Sequence, residues 1–414
     1  MFKHRTYLIA SMVLMATPLM GQDLISFVEK PTLLNTGQFG EGANHYRPRW
    51  SPDGKWLSFE LIDENSLRAF IIKPGTDIIF ECQGKQHGSY SGGLDIFENA
   101  SKGKTAITRV SWAKQLFNNT DMFCFTDEGA LYKSFAYEAS GTPSVSPAGE
   151  YIPADKMGDV GHYNGVIIPE MGFTPTKGQP PVVFTDNDTG VLYAIYETQK
   201  PVQITFKKPD DKFTDAVGKF RPSDNRSIVF VRAFEGNSDI FMVEDVTRPA
   251  ETIRPLTQWP KSDEVAPSWS PDGKMIAFYS NYAENAEGKK SFDLYLLDPA
   301  TKKPPVLLAR SVRPDNVEEM AGPPYLGPQW MGNDVIIYVK DDKPTKDPLM
   351  YVKISTGESG VLPVGTIIND SPSICDMGDG TYFLAYTTFG KSTADLSRPD
   401  ITNKIYYAKM IFSR

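Results

Sequence analysis

Between Pro48 and Glu60 the chain reads "PRWSPDGKWLSFE", and between Pro267 and Ser280 it reads "PSWSPDGKMIAFYS": an aromatic end, a polar break, then an apolar run. In the break, proline presets φ, aspartate bonds nearby backbone and glycine accepts positive φ, so Ser51 to Gly54 and Ser270 to Gly273 predict tight turns. Beyond the first turn Leu57, Phe59 and Leu61 point one way and Trp56, Ser58 and Glu60 the other, the period of a half-buried strand. Each stretch is therefore strand, turn, strand. Trp50 and Trp269 end the first strand, where a large aromatic fills the space between stacked sheets.

Weaker copies of the pattern occur along the whole chain. "GKFRPSDNRSIVFVRAF" (Gly218 to Phe234) places Asn225 where glycine stood, and asparagine tolerates left-handed geometry. "PQWMGNDVIIYVK" (Pro328 to Lys340) and "VSWAKQLFNNTDMFCFTDE" (Val110 to Glu128) keep Trp330 and Trp112, and fainter copies run from Gly165 to Glu197 and from Ser371 to Phe389. A third strand follows in most copies, such as "DIFMVED", "DLYLLDP" and "KIYYAKMIF", and a short Pro-led fourth in some, such as "PVQITF" and "IRPLTQW". Four strands make one propeller blade. The last copy has no fourth strand of its own, while "PTLLNTGQ" (Pro31 to Gln38) precedes the first, so pairing the two removes an open edge. The expected fold is all-β: a seven-bladed β-propeller whose ring is closed by an N-terminal strand in the last blade. Six blades result if Gly165 to Glu197 is an elaborated insertion.

The Trp-Ser-Pro-Asp-Gly-Lys stretches resemble the TolB-type propeller repeats of bacterial periplasmic proteins, over most of the chain after about residue 30. That family carries an α/β domain ahead of a six-bladed ring, whereas here only some twenty residues precede the first blade, so the resemblance is to a stand-alone propeller. It implies a non-enzymatic scaffold whose central-channel face binds a protein or peptide partner of the cell envelope. An alternative comes from seven-bladed oligogalacturonate lyases, which share the repeat type and use a histidine-rich metal site: a carbohydrate-active enzyme with a metal at the channel mouth.

The ends of the chain and its composition narrow the reading. Lys3, His4 and Arg5 followed by the apolar run Tyr7 to Met20 form a secretory signal over residues 1–22, too short for the roughly 20 residues of a membrane span. Gln22 stands where a lipoprotein would need cysteine, so the expected location is the periplasm or the exterior, without a lipid anchor. Residues 23–414 show no composition shift and are expected to form one domain. The formal net charge of -8, more negative once Lys3 and Arg5 are removed, opposes binding to nucleic acid or an anionic membrane. Three cysteines, Cys82, Cys124 and Cys375, have no metal-ligand spacing; Cys124 in "MFCF" and Cys375 after "SPSI" read as buried thiols, and one disulfide is the other option.

Propeller sites sit at the channel mouth, lined by the loops that enter each innermost strand. Those loops hold Asn44, His45 and Arg47; His162, Tyr163 and Asn164; Asp215 and Lys219; Asp263 and Glu264; Tyr325; and Asn369 and Asp370, the candidate binding residues. His45 and His162 occupy comparable positions, which is the chemical basis for a metal or proton-transfer pair. No catalytic residue is assigned and no cofactor is predicted. "DNDTG" (Asp186 to Gly190) lacks the distal glutamate of a calcium loop and reads as a hairpin turn. With no Gly-x-Ser-x-Gly elbow and no histidine after His162, a serine hydrolase is not expected.

Overall fold

A computed structural model describes residues 24–39, 43–62, 67–82, 110–127, 130–150, 166–175, 178–186, 189–196, 200–222, 224–283, 291–314, 326–342, 346–389 and 403–412. The strands form seven separate antiparallel sheets, each with its strands largely in chain order, which is the seven-bladed propeller. The innermost strands are Asn44–Trp50 in blade 1, Ser111–Trp112 in blade 2, Val166–Met171 in blade 3, Thr214–Phe220 in blade 4, Glu264–Trp269 in blade 5 and Asn369–Asp376 in blade 7. Blade 6 has a divided inner strand: Val312–Arg313 and Gln329–Met331 both pair with Val335–Lys340. Gly165 to Glu197 supplies a blade in its own right, so the count is seven.

Ring closure lies partly upstream of the segment expected for it. Ile25–Phe27 pairs with Met410 to Phe412 as the outer strand of blade 7, and Thr32–Leu33 then pairs with Tyr406 and Tyr407. The last strand, Asn403–Phe412, is ten residues long, so one edge accepts both short segments in succession.

The turns follow their residues. Gly54 and Gly273 have φ of 69° and 67°, and each donates its N–H to the serine carbonyl three residues earlier at 3.0 and 2.8 Å. Asn225 takes the left-handed conformation (φ 50°), and its amide clamps the Phe173 backbone of blade 3 through bonds of 2.8 and 2.7 Å. Asp186 closes the Val182–Asp186 strand and accepts the Thr189 hydroxyl, while Gly190 leads into Val191–Ile195, a hairpin turn.

The alternation after Trp56 does not separate a wet face from a dry one. Leu57, Ser58, Phe59, Glu60 and Leu61 are all buried, because each blade has a neighbour on both faces. The core is accordingly divided into layers between blades. Trp50, Leu57 and Phe59 of blade 1 pack with Cys375, Ala385 and Ile405 of blade 7, and Trp56, Ala69 and Ile71 pack on the other side with Trp112, Phe123 and Phe125 of blade 2. The remaining blade pairs repeat the arrangement.

The repeated tryptophan also makes a repeated hydrogen bond. The indole N–H groups of Trp112, Trp269 and Trp330 donate to the carbonyls of Arg49, Lys219 and Ser268 in the preceding blades, at 3.1, 3.2 and 3.2 Å. Trp50 meets blade 7 at the point of closure, where its ring packs on Phe383 with centroids 5.2 Å apart and its Nε1 finds no partner among the described residues. Buried indole N–H groups normally are bonded, so this joint is weaker in polar terms than its counterparts.

Candidate functional site

Five innermost strands carry an irregularity at the same place. The register shifts between Tyr46 and Arg49, Ile167 and Glu170, Ala216 and Lys219, Val265 and Ser268, and Asp370 and Ser373. Within each shift sits a left-handed non-glycine residue, Arg47, Ile168, Val217, Ala266 or Ser371, with φ between 47° and 58°. For β-branched residues such as Ile168 and Val217 this conformation is costly, and its recurrence marks a bulge built into the repeat.

His45, Asp215, Glu264 and Asn369 occupy one equivalent position, two residues before the left-handed one, and all four are fully buried. Each is engaged inside the sheets. The His45 ring lies 5.5 Å from that of Phe59 and 6.0 Å from that of Phe39, with Nδ1 3.3 Å from the Asn403 carbonyl and Nε2 without a partner among the described residues. Burial, reinforced by the Lys404 charge, lowers its pKa to about 4, so the ring is neutral at pH 7. The Arg232 guanidinium holds Asp215 through bonds of 2.7 and 2.9 Å and lies over the rings of Phe213 and Phe241. Burial pushes Asp215 up and Arg232 pulls it back.

Glu264 accepts hydroxyl bonds from Ser280 at 2.7 Å and Ser262 at 2.8 Å through Oε1. Burial pushes its pKa up to about 8, with the nearby Asp239 charge adding to the shift, and its Oε2 has no hydrogen-bond partner among the described residues. A second carboxyl pair joins blades 1 and 2: burial and then Asp53 raise Asp121 to about 8. Asn369 donates to the Asp347 carbonyl at 3.1 Å and takes the Thr366 hydroxyl at 2.5 Å.

The other candidates divide between the bulges and the rim. Arg47 pairs with Glu60 at 3.3 Å, both side chains buried. Asp263, half-buried at the rim, takes bonds from the Ser238 hydroxyl and the Asn281 amide at 3.2 Å each. Asn44 receives the Asn403 N–H at 2.9 Å through its side-chain oxygen. His162, Tyr163, Asn164 and Tyr325 lie outside the described residues. Among the described residues, no group of three or more His, Cys, Asp or Glu is placed to hold a metal ion.

Two further clusters gather residues that the sequence did not single out, joined by the candidates Lys219 and Asp370. In the first, Arg49 of blade 1 reaches Glu170 of blade 3 at 3.0 Å, and Ser111 and Lys114 of blade 2 bond the same carboxylate. Burial alone would raise Glu170, but the charges of Lys114, Arg49 and Lys219 hold it well below the usual carboxylate range. The available signal was the polar residue directly before the repeat aromatic: Arg49, Ser111, Lys219, Ser268 and Gln329 share that place. In the second, Tyr279, Arg313, Leu326, Val339, Asp370 and Ser371 of blades 5, 6 and 7 line a narrow crevice whose accessible volume, about 10 Å³, is roughly that of one water. Gly327 completes its wall, where a Cβ would meet the Ala266 carbonyl oxygen at 2.4 Å.

No protein-family model and no curated protein matches the sequence. Solved structures do. A puromycin hydrolase S511A mutant complexed with PGG has 12% identity and a TM-score of 0.50 over 83% of this chain and 51% of its own. TolB from Acinetobacter baumannii has 11% identity and a TM-score of 0.40 over 77% of this chain and 63% of its own. Oligogalacturonate lyase in complex with manganese has 12% identity and a TM-score of 0.46 over 94% and 97% of the two chains. The chain thus spans less than two thirds of the hydrolase and TolB chains, and likeness at this identity speaks to the propeller fold alone.

Proposed function

We propose that this chain is an exported, non-enzymatic propeller scaffold whose channel face binds a protein or peptide of the cell envelope. The observation that carries the reading is the state of its ionisable groups. His45, Arg47, Asp215 and Glu264 are buried and tied to Asn403, Glu60, Arg232 and the serines at 262 and 280, rather than converging on a point where a substrate atom could sit. The crevice beside them, with an accessible volume of about 10 Å³, falls far below the roughly 300–1,000 Å³ of sites that enclose a whole small molecule. The signal-like residues 1–22 and the repeat resemblance supply the export and envelope parts of the reading. Among the described residues no helix is long and apolar enough to cross a membrane.

The test is capture from an envelope extract by the tagged mature chain, with Asp263→Lys as the channel-side variant and Val361→Lys on an outer edge. Loss of a captured partner in the first variant alone supports the reading. Stoichiometric metal in the purified chain, lost in a His45→Ala/His162→Ala variant, would replace it with the carbohydrate-active alternative.

A further inference from the structure

Blades 4 and 5 fill the same place in the repeat differently. In blade 4 Asp215 pairs across the sheet with Arg232, and in blade 5 the equivalent Glu264 pairs with Ser280. Arg232 forks onto Asp215 at 2.7 and 2.9 Å, and its guanidinium lies 3.9 Å from the centroid of the Phe213 ring. A carboxylate and an aromatic face thus hold the guanidinium together, the two groups that suit its planar fork and its spread charge. Ser280 brings no cation to blade 5. Glu264 is bonded there through Oε1 by the hydroxyls of Ser262 and Ser280, and its Oε2 has no partner among the described residues.

In blade 5 an acid and an aromatic face recur nearer the solvent. Asp263 stands where blade 4 has Thr214, and Tyr282 stands where blade 4 has Phe234, two residues beyond Ser280 and Arg232 respectively. Asp263 is half-buried, and its carboxylate is met by neutral donors, the Ser238 hydroxyl and the Asn281 amide. The Asp263 N–H in turn donates to the Asn281 side-chain oxygen at 2.7 Å, which fixes the residue before Tyr282 against the carboxylate. Tyr282 is 46% exposed, and Trp259 stacks on it with centroids 4.6 Å and planes 25° apart. Phe234, 40% exposed, flanks the same rim, because Asn237 and Ser238 of its turn bond Ser262 and Asp263. On that turn and on the connection from Gln258 to Asp263, the acids Glu235 and Asp263 outnumber the one base, Lys261. The chain's formal charge of -8 adds long-range attraction for a cationic partner.

We propose that this rim receives an arginine side chain of the partner peptide, its guanidinium stacked on Tyr282 and paired with Asp263, as Arg232 is stacked on Phe213 and paired with Asp215 within blade 4. This rests on the peptide-scaffold reading above and specifies what part of the partner is gripped. Guanidinium fits better than ammonium because a planar cation covers a ring face and bonds a carboxylate at once. Arginine, tyrosine and tryptophan are also the residue types that carry most of the binding energy at protein interfaces.

Nuclear magnetic resonance of the whole mature chain, its six tryptophans labelled with nitrogen-15, reads the site through the Trp259 indole signal, assigned with Trp259→Phe. The probes are the Nα-acetyl methylamides of arginine, of citrulline, which has nearly the same shape without the charge, and of lysine. The result expected is a saturable shift of the Trp259 signal with the arginine probe, none with citrulline, and an affinity for lysine lower by roughly threefold or more. Asp263→Asn and, independently, Tyr282→Ala are each expected to lower the arginine affinity roughly tenfold or more. Tyr282 lies at the surface, so its variant decides the matter should Asp263→Asn fail to fold. The proposal is overturned if arginine gives no saturable shift, if citrulline or lysine binds equally, or if the folded variants bind undiminished. Probe binding without envelope capture removes the scaffold reading alone; envelope capture without probe binding removes the arginine site alone.

Discussion

Arg49 and Glu170 belong to blades that are not neighbours, yet their side chains meet at 3.0 Å. Between them, Ser111 on the innermost described strand of blade 2, Ser111–Trp112, presents a small side chain that bonds the same carboxylate. Three blades are thereby tied at one carboxylate.

Breaking this tie from one side leaves a buried charge. Arg49→Ala is expected to destabilise the fold by roughly 3–5 kcal/mol, whereas the apolar pair Arg49→Met/Glu170→Leu costs clearly less than the sum of its single changes. Urea unfolding of the four proteins measures the coupling. Equal additive losses would show that the pair does not act as a unit.

The repeated tryptophans give an internal comparison. Trp112→Phe removes an N–H bonded to the Arg49 carbonyl and the Ser58 hydroxyl, while Trp50→Phe removes one that has no partner among the described residues. Trp112→Phe is expected to cost about 1–3 kcal/mol more than Trp50→Phe, read from denaturation midpoints at constant m.

These tryptophans also show how far the sequence could be read. Blade number, turn positions and the packing role of Trp50 and Trp269 follow from residue type and period, because tight turns and inter-sheet aromatics depend on local chemistry. The closing segment was placed at Pro31 to Gln38, where Thr32–Leu33 does pair with the last strand, and its other part was missed because Ile25–Phe27 is a three-residue pairing whose partner, Met410 to Phe412, lies at the far end of the chain. His45, Asp215, Glu264 and Asn369 were read only as members of the channel-mouth loops, because their shared place and full burial accompany a bulge whose left-handed residue is Arg47, Val217, Ala266 or Ser371, of which only serine is a turn-favouring type. Arg49 and Glu170 were invisible as a pair since they lie 121 residues apart and meet only once the blades are assembled into the ring.

Acid should act through His45. Its folded-state pKa is depressed to about 4 from 6.5, so the unfolded chain binds the extra proton between those values, and stability falls as pH drops through that window. Relative to His45→Leu, the wild type is expected to lose roughly 3 kcal/mol between pH 6.5 and 4, as a difference between two pH-stability curves. Parallel curves would mean that His45 is solvated or already charged.

Alkali should act through Asp121 and Glu264. Their folded-state values, raised to about 8, mean that the folded chain binds the extra protons above the ordinary carboxylate range, so their contribution is lost as pH rises toward 8. Glu264→Gln keeps the oxygen that Ser262 and Ser280 bond while removing the titration. It is expected to be on the order of 2 kcal/mol more stabilising at pH 8 than at pH 5, by thermal unfolding at both.

The claim on which the functional account turns is that the channel face, rather than the outer edge of the ring, meets the partner. Site-specific photo-crosslinking in intact cells tests it directly, with the photoreactive residue placed at Asp263 on the channel-side rim or at Val361, 58% exposed on an outer strand. The account predicts a discrete crosslinked product from position 263 and none from 361. A product from 361 with none from 263 would contradict it.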